Sequence, residues 1–272
     1  LHHQVSMSNF WKDKVIWITG ASSGIGEALV RQLAEKGAII ILSSRNAEKL
    51  EGFKAQLPNA DRHTILPLDV SNEQSIDQAI NANKALVDNV EILINNAGIS
   101  QRALTWEASR ESERLIMETN FFGATALTKA VLPGMMKRNA GIIISLSSPA
   151  GAFGFPLRSS YSASKHALHG YFDSLRAEFD AAKKNIHIML VLPGRVSTNM
   201  SYNALTQDGS KQAEADKRLA SGLSPEECAK GIIKAAEKRK AEIYFGREQI
   251  LIYIKRYLPG LFRSIVTKFK PD

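Results

Sequence analysis

The feature that most constrains this chain is an alternation of short, almost continuously apolar runs with longer stretches of helical periodicity. Strand-like runs fall at 15–18, 39–43, 64–68, 92–95, 142–146, 187–192 and 242–245. Helix-like stretches lie between them at 25–36, 73–87, 114–137 and 161–183. A further helix is expected from Ser224, with Pro225 at its first position and Glu227 completing a capping box. Strands apolar on both faces need cover on both faces, and strict β/α alternation supplies it through parallel strands and crossover helices. Such crossovers are right-handed, and ligands gather at the carboxyl ends of the strands. The expectation is an α/β fold: one domain over 7–246 built on a doubly wound, seven-stranded parallel sheet with helices on both faces.

Length agrees, since 272 residues suffice for one such domain and little more. The single cysteine, Cys228, excludes an internal disulfide, and inside a capped helix it reads as a packed residue. Residues 1–6 read as a cloning remnant ahead of Met7 and are set aside. Nothing resembles a signal peptide and no apolar run approaches a membrane span, so the expected location is cytoplasmic. The net charge of +8 is uneven: 247–272 carries six Lys/Arg against two Asp/Glu, half of the total. No helix-turn-helix or zinc-finger pattern accompanies that excess, so no nucleic-acid partner is expected.

After the first strand comes Thr19-Gly20-Ala21-Ser22-Ser23-Gly24-Ile25-Gly26, leading directly into a helical pattern. Glycines here let the chain turn tightly and let backbone N–H groups approach an anion at the helix N-terminus. The spacing is G-x-x-x-G-x-G, and T-G-x-x-x-G-x-G resembles the short-chain dehydrogenase/reductase family. Four further elements share the resemblance: Leu68-Asp69-Val70, Asn95-Asn96-Ala97-Gly98, Tyr161-Ser162-Ala163-Ser164-Lys165 and Pro193-Gly194-Arg195-Val196-Ser197-Thr198.

The resemblance runs from about Lys14 to Phe245 and implies a Rossmann fold with a bound nicotinamide cofactor. It places the pyrophosphate on Gly20, Ser22, Ser23, Gly24, Ile25 and Gly26. It sets Asp69 and Val70 beside the adenine and Asn96, Ala97 and Gly98 beside the adenine ribose. It gives the nicotinamide carboxamide to Pro193, Gly194, Val196 and Thr198. The choice of cofactor is argued from charge. NAD-preferring proteins carry an acid at the end of the second strand, for the ribose 2′-hydroxyl. Here that strand runs out through Ser44-Arg45-Asn46, with no acid before Glu48. A guanidinium suits a 2′-phosphate, and Ser44 can add a hydroxyl, so NADP(H) is expected over NAD(H). The alternative is that Arg45 merely solvates a helix start.

Tyr161 and Lys165 stand at i and i+4, on one helical face. Ser148 precedes the tyrosine by thirteen residues, at the end of a strand, which is the family's spacing. With Asn120 in Thr119-Asn120-Phe121-Phe122-Gly123, the resemblance implies an Asn–Ser–Tyr–Lys tetrad for hydride exchange between cofactor and a carbonyl or alcohol. Ser145 and Ser147 enter only if the register slips. A free phenol ionises near ~10, so the Lys165 ammonium is expected to draw Tyr161 down and to bond the nicotinamide ribose. Ser148 is expected to donate to the substrate oxygen, and Asn120 to hold a relay water through its backbone. No metal is expected, and His166 and His169 are expected on the packing side. The alternative function is a cofactor-sensing binding protein that keeps the fold without turnover.

The loop from Pro149 to Leu157 is apolar, and Phe153 and Phe155 read either as a wall for a hydrophobic substrate (steroid-, retinoid- or acyl-like) or as core. Residues 199–222 correspond to the family's substrate lid. Helices 114–137 and 161–183 are apolar on more than one face, and in this family they pair, so a homodimer or homotetramer is expected. The tail, 247–272, is a basic amphipathic extension broken by Pro259-Gly260, like that of hydroxysteroid-dehydrogenase-like members. It is expected either to pack on the domain or a partner, or to touch a membrane surface through 250–270.

Overall fold

The computed structural model describes residues 10–214 and 222–268. Residues 1–6, Phe269, Lys270 and part of the expected lid lie outside the described residues. Seven parallel strands form one sheet in the order β3-β2-β1-β4-β5-β6-β7. They are β1 (Val15–Thr19), β2 (Ile39–Ser43), β3 (Thr64–Ile65), β4 (Ile92–Asn95), β5 (Gly141–Leu146), β6 (Ile186–Pro193) and β7 (Glu242–Phe245). The chain runs outward from β1 to β3 and then returns to β4 on the other side of β1, so a crevice opens between the carboxyl ends of β1 and β4.

Helices cover both faces. One apolar layer lies under α1 (Gly24–Glu35) and α8 (Pro225–Glu237), where Leu29, Leu33, Ile232 and Cys228 are buried against β1 and β6. Burial pushes the Cys228 thiol up to about 12, so it packs and does not react. The Ser224 capping box opens α8 as expected. The second layer lies under α3 (Glu73–Ala82), α4 (Lys84–Asp88), α6 (Gly123–Arg138) and α7 (Ser159–Ala181), with Val131, Leu168 and Phe172 at its centre. Two smaller helices, α2 (Ala47–Lys54) and α5 (Arg110–Met117), start at side-chain caps from Asn46 and Ser109.

Three element boundaries differ from expectation. The third strand ends at Ile65, although two backbone bonds to β2 continue past it, Leu66 N to Leu42 O at 2.9 Å and Leu68 N to Ser44 O at 3.1 Å. Pro67, between those two donors on an edge strand, interrupts neither bond. The stretch 73–87 is two helices, since Asn83 leaves the helical region and its side chain bonds Ala79 O. The stretch 114–137 begins earlier, at Arg110, and is interrupted by one π-helical turn, Glu118–Phe122.

The tail forms α9 (Gln249–Tyr257) and α10 (Pro259–Val266), divided at Pro259 as expected. One face packs on the domain: Leu251 is buried, Phe262 meets Phe153 edge-on at 5.3 Å, and Lys255 Nζ bonds Ala152 O. The other face leaves Ile250, Tyr253, Tyr257, Leu258 and Leu261 exposed. Among the described residues, no helix is long and apolar enough to cross a membrane.

Candidate active site

The loop after β1 is shaped by contacts that only glycine permits. Gly20 and Gly24 hold φ of +63° and +57°. A Cβ on Gly26 would stand 2.1 Å from Gly20 O and 2.5 Å from Asn96 Nδ2, so the first turn of α1 is pressed against the loop itself. Asn96 clamps that loop from β4: its Nδ2 donates to Thr19 O at 2.9 Å and Gly20 O at 3.2 Å. Thr19 Oγ1 in turn accepts from the backbone N–H groups of Asn96 and Ala97. Ser23 occupies the N-cap of α1 without a side-chain cap bond, leaving its hydroxyl and the helix N-terminus to a ligand. A cavity of about 140 Å³ lies here, lined on one side by Gly20, Ser23, Gly24, Ile25, Ala97 and Gly98 and on the other by Thr198 and Met200. Thr198 closes it: a Cβ on Gly24 would meet the threonine methyl at 3.1 Å.

At the end of β2, Arg45 is exposed and makes no hydrogen bond or ion pair among the described residues. Beside it the Ser44 hydroxyl is buried without a partner. Asp69 turns its carboxylate back onto Ser71, accepting from the backbone N at 2.9 Å and the hydroxyl at 2.7 Å. The Val70 carbonyl abuts Gly123, where a Cβ would come within 2.2 Å of it. On the opposite side of the crevice, Pro193 ends β6, Gly194 N bonds Phe245 O at 2.9 Å, and Val196 is buried beside Leu223.

The four residues with expected chemical roles converge at the carboxyl ends of β4 and β5. Tyr161 and Lys165 are buried on one face of the first two turns of α7. Ser148, half-buried two residues past β5, accepts from Ala150 N at 3.2 Å and lies near enough to the Tyr161 phenol to pull its pKa down. Lys165 Nζ donates to Leu146 O at 2.8 Å. Asn120 sits in the π turn, a distortion concentrated at functional sites, and grips the next loop with both halves of its amide. Its Oδ1 accepts from Ile99 N at 2.8 Å and its Nδ2 donates to Ile99 O at 2.9 Å. The same Nδ2 reaches Ser164 Oγ, which bonds Tyr161 O. Gly98 forms the floor between them: a Cβ there would stand 3.1 Å from Asn120 Oδ1 and 3.6 Å from Lys165 Nζ.

Electrostatics depart from expectation at the phenol. Burial pushes Tyr161 above its ordinary range, outweighing the Ser148 hydroxyl and the Arg158 charge that pull it down. The Lys165 ammonium, 5.8 Å from the ring centroid and tied to Leu146, does not offset that burial. Burial lowers Lys165 itself to about 8.

The competing serines are occupied elsewhere: Ser145 accepts from Asn95 Nδ2, and Ser147 meets His169 Nε2 at 3.0 Å. His166 is exposed and bonds its own helix at Ser162 O, a correction to the expected packing role. Phe153 is fully buried against Phe155 and Phe262, so it supports the apolar loop and does not line an open wall. Sequence reasoning missed the π turn around Asn120, and it missed Gln101, whose Oε1 accepts from the distant Ser160 and Tyr161 backbone N–H groups.

Comparison with known proteins agrees with this geometry. The profile of the short chain dehydrogenase family matches residues 14–209. A Drosophila melanogaster protein named "Dehydrogenase/reductase SDR family protein 7-like" is 40% identical over 94% of this chain and 80% of its own length. Among solved structures, a short chain dehydrogenase from Burkholderia cenocepacia in complex with NADP is 26% identical, covering 94% of this chain and 98% of that one, with a TM-score of 0.76. A Burkholderia phymatum structure in complex with NAD shares the fold at 23% identity and a TM-score of 0.80, covering 96% of this chain and 97% of that one. The fold and the site thus define a nicotinamide-binding oxidoreductase scaffold. The chain belongs to the short-chain dehydrogenase/reductase family.

Proposed function

We propose that this protein is an NADP(H)-dependent carbonyl reductase, or secondary-alcohol dehydrogenase in reverse, acting on apolar substrates with Tyr161 as acid/base. The observation that carries the reading is the convergence of the Tyr161 phenol, the Ser148 hydroxyl and the Lys165 ammonium beside the glycine-shaped crevice.

The residues present fit a dinucleotide. Gly20, Ser22, Ser23, Gly24, Ile25 and Gly26 would hold the pyrophosphate through backbone N–H groups at the α1 N-terminus. Asp69 and Val70 would meet the adenine, Asn96, Ala97 and Gly98 the adenine ribose, and Pro193, Gly194, Val196 and Thr198 the carboxamide. Tyr161 and Lys165 would meet the nicotinamide ribose. The NADP preference is supported by Arg45, which has no partner among the described residues, beside an unpartnered Ser44 hydroxyl, with no acid in the sequence from Leu42 to Ala47. When bound, the cofactor supplies or accepts the hydride.

The chain's own residues handle the proton. Tyr161, kept protonated by burial, gives its proton to the substrate oxygen as that oxygen gains charge. Ser148 donates to the same oxygen, and Lys165 stabilises the phenolate left behind. Asn120 holds the π turn and the 99 segment so that these groups keep their spacing. A phenol held above its ordinary range is protonated at neutral pH, the form that carbonyl reduction draws on. Half-exposed Phe122, beside Ala163 on the outer face of α7, and exposed Leu115 on α5 support pairing of the 110–138 and 159–181 helices in a homodimer or homotetramer. The test is NADPH oxidation against a panel of steroid ketones, retinal, 3-oxoacyl thioesters and quinones. Reduction of at least one carbonyl, faster with NADPH than NADH, is expected, and no turnover across the panel overturns the reading.

A further inference from the structure

The helix that carries Tyr161 begins without a cap of its own. Arg158, at the N-cap position of α7, makes no side-chain cap bond. The orphan N–H groups of the first turn, normally taken by a Ser, Thr, Asp or Asn at that position, are taken by a residue far away in sequence. Gln101 Oε1 accepts from Ser160 N at 2.8 Å and from Tyr161 N at 3.3 Å. Because both partners are donors, the amide oxygen must face them. The other half of the amide, Nε2, is buried with no hydrogen-bond partner. A buried donor left unsatisfied is costly, so the acceptor oxygen is the part of this side chain that the structure uses.

The segment holding Gln101 is bound to the entry of α7 at two further points. Arg158 Nη1 donates to Ser100 Oγ at 3.3 Å, and Ala103 N donates to Leu157 O at 3.2 Å. Leu157 has φ of +62°, a left-handed conformation that a leucine adopts only when its surroundings impose it. On its opposite edge the segment pairs with the stretch after Thr198: Gln101 bridges Leu205, with Leu205 N bonding Ser100 O at 3.0 Å and Arg102 N bonding Leu205 O at 2.7 Å. One short strand of backbone thus joins the stretch that covers the crevice to the first turn of the helix bearing the phenol.

We propose that Gln101 is a positioning residue. Its side-chain oxygen, acting as the N-cap of α7, sets Tyr161 against Ser148 and couples that alignment to the pairing of Leu205 with the 100–102 backbone. The inference deepens the proposed function, since it rests on Tyr161 being the acid/base.

The test compares Gln101→Leu, Gln101→Glu and Tyr161→Phe with the parent, using the carbonyl that the panel shows to be reduced fastest. In Gln101→Leu, amide exchange of the peptide spanning 157–165 quickens. Its kcat falls at least about tenfold, because a displacement of about 1 Å at reacting groups costs up to about 100-fold, while NADPH affinity stays within about twofold. Gln101→Glu keeps the acceptor and, once ionised, removes the orphan donor, so kcat returns to within about threefold of the parent; a negative charge hydrogen-bonded to the Tyr161 backbone N–H disfavours ionisation of that tyrosine and moves the basic limb of the pH profile upward. Parental kcat in Gln101→Leu overturns the proposal. So does a parallel loss of kcat, NADPH affinity and thermal stability that glutamate does not restore, which is what a merely structural residue would show. If Gln101→Leu does not fold, an unmoved pH limb in Gln101→Glu overturns it. A Tyr161→Phe variant with normal turnover instead overturns the acid/base assignment, and amide exchange then reads the cap by itself.

Discussion

Lys165 Nζ donates a 2.8 Å hydrogen bond to the carbonyl oxygen of Leu146, joining the second turn of α7 to the end of β5 two residues before Ser148. That bond holds an ammonium in a site where burial disfavours its charge, and it fixes the lysine relative to the strand end that leads to the serine. The placement has a measurable consequence for stability.

Lys165 titrates near 8 in the folded protein and near 10.5 when unfolded. Between those values the unfolded chain holds the extra proton, so this residue makes stability rise with pH across that window, by up to about 1.4 kcal/mol per pH unit. Below it both states are charged, and above it both are neutral. Chemical denaturation of the parent and of Lys165→Met at several pH values reads the difference. The parent is expected to gain on the variant between pH 8 and 10.5, and parallel curves would contradict the buried ammonium.

Tyr161→Phe removes one oxygen and leaves the buried ring, so the fold is expected to survive. Turnover should drop at least ~100-fold, the low end for losing general acid–base catalysis. Lys165→Ala should weaken turnover and NADPH binding together. The double variant should lose little more than the worse single one, because both residues act on one proton. Additive losses would show that they act independently.

Arg45→Ala should narrow the preference for NADPH over NADH by about 1.5–3 kcal/mol, the range for hydrogen bonds to charged groups. NADH affinity should hardly change, since the guanidinium has no other partner among the described residues. Fluorescence titration of both cofactors with both proteins is the measurement. Equal affinities in the parent would remove the guanidinium from the binding account.

Gly26→Ala brings a methyl group to 2.1 Å from a carbonyl oxygen, and that neighbour is backbone, which cannot swing aside. The loop must move away from α1, which costs about 1–3 kcal/mol of stability as overpacking and breaks the cradle. Gly52→Ala is the control, because a Cβ there meets nothing within 4 Å. Thermal melts and cofactor titration should separate the two, and a tolerated Gly26→Ala would mean the turn is looser than drawn.

Much of this protein is legible along the chain because the deciding forces are local or periodic. Continuous apolar runs at β1, β2, β4, β5 and β6 need cover on both faces, and that alone implies a parallel sheet with helices around it. The glycines at 20, 24 and 26 are marked by what they lack, and Tyr161 and Lys165 share a face by helical pitch. Asn83 stands in the same sequence unmarked, because whether it ends a helix depends on its backbone leaving the helical region and on the bond its side chain makes to Ala79 O.

Tertiary structure decided what distance in sequence conceals. Gln101 reaches Ser160, and Asn120 holds Ile99 and Ser164, because the crossover helices return the chain to the same strand ends. The rise in the Tyr161 pKa follows from desolvation by everything packed around it, which no motif encodes. The two faces of the tail were separated the same way: Phe262 found Phe153, and Tyr253 and Tyr257 did not find cover. Sequence by itself determined which residues are chemically able to act, through side-chain type and spacing. Only the folded chain determined which of them meet, because burial and hydrogen-bond geometry are properties of the neighbours that folding brings together.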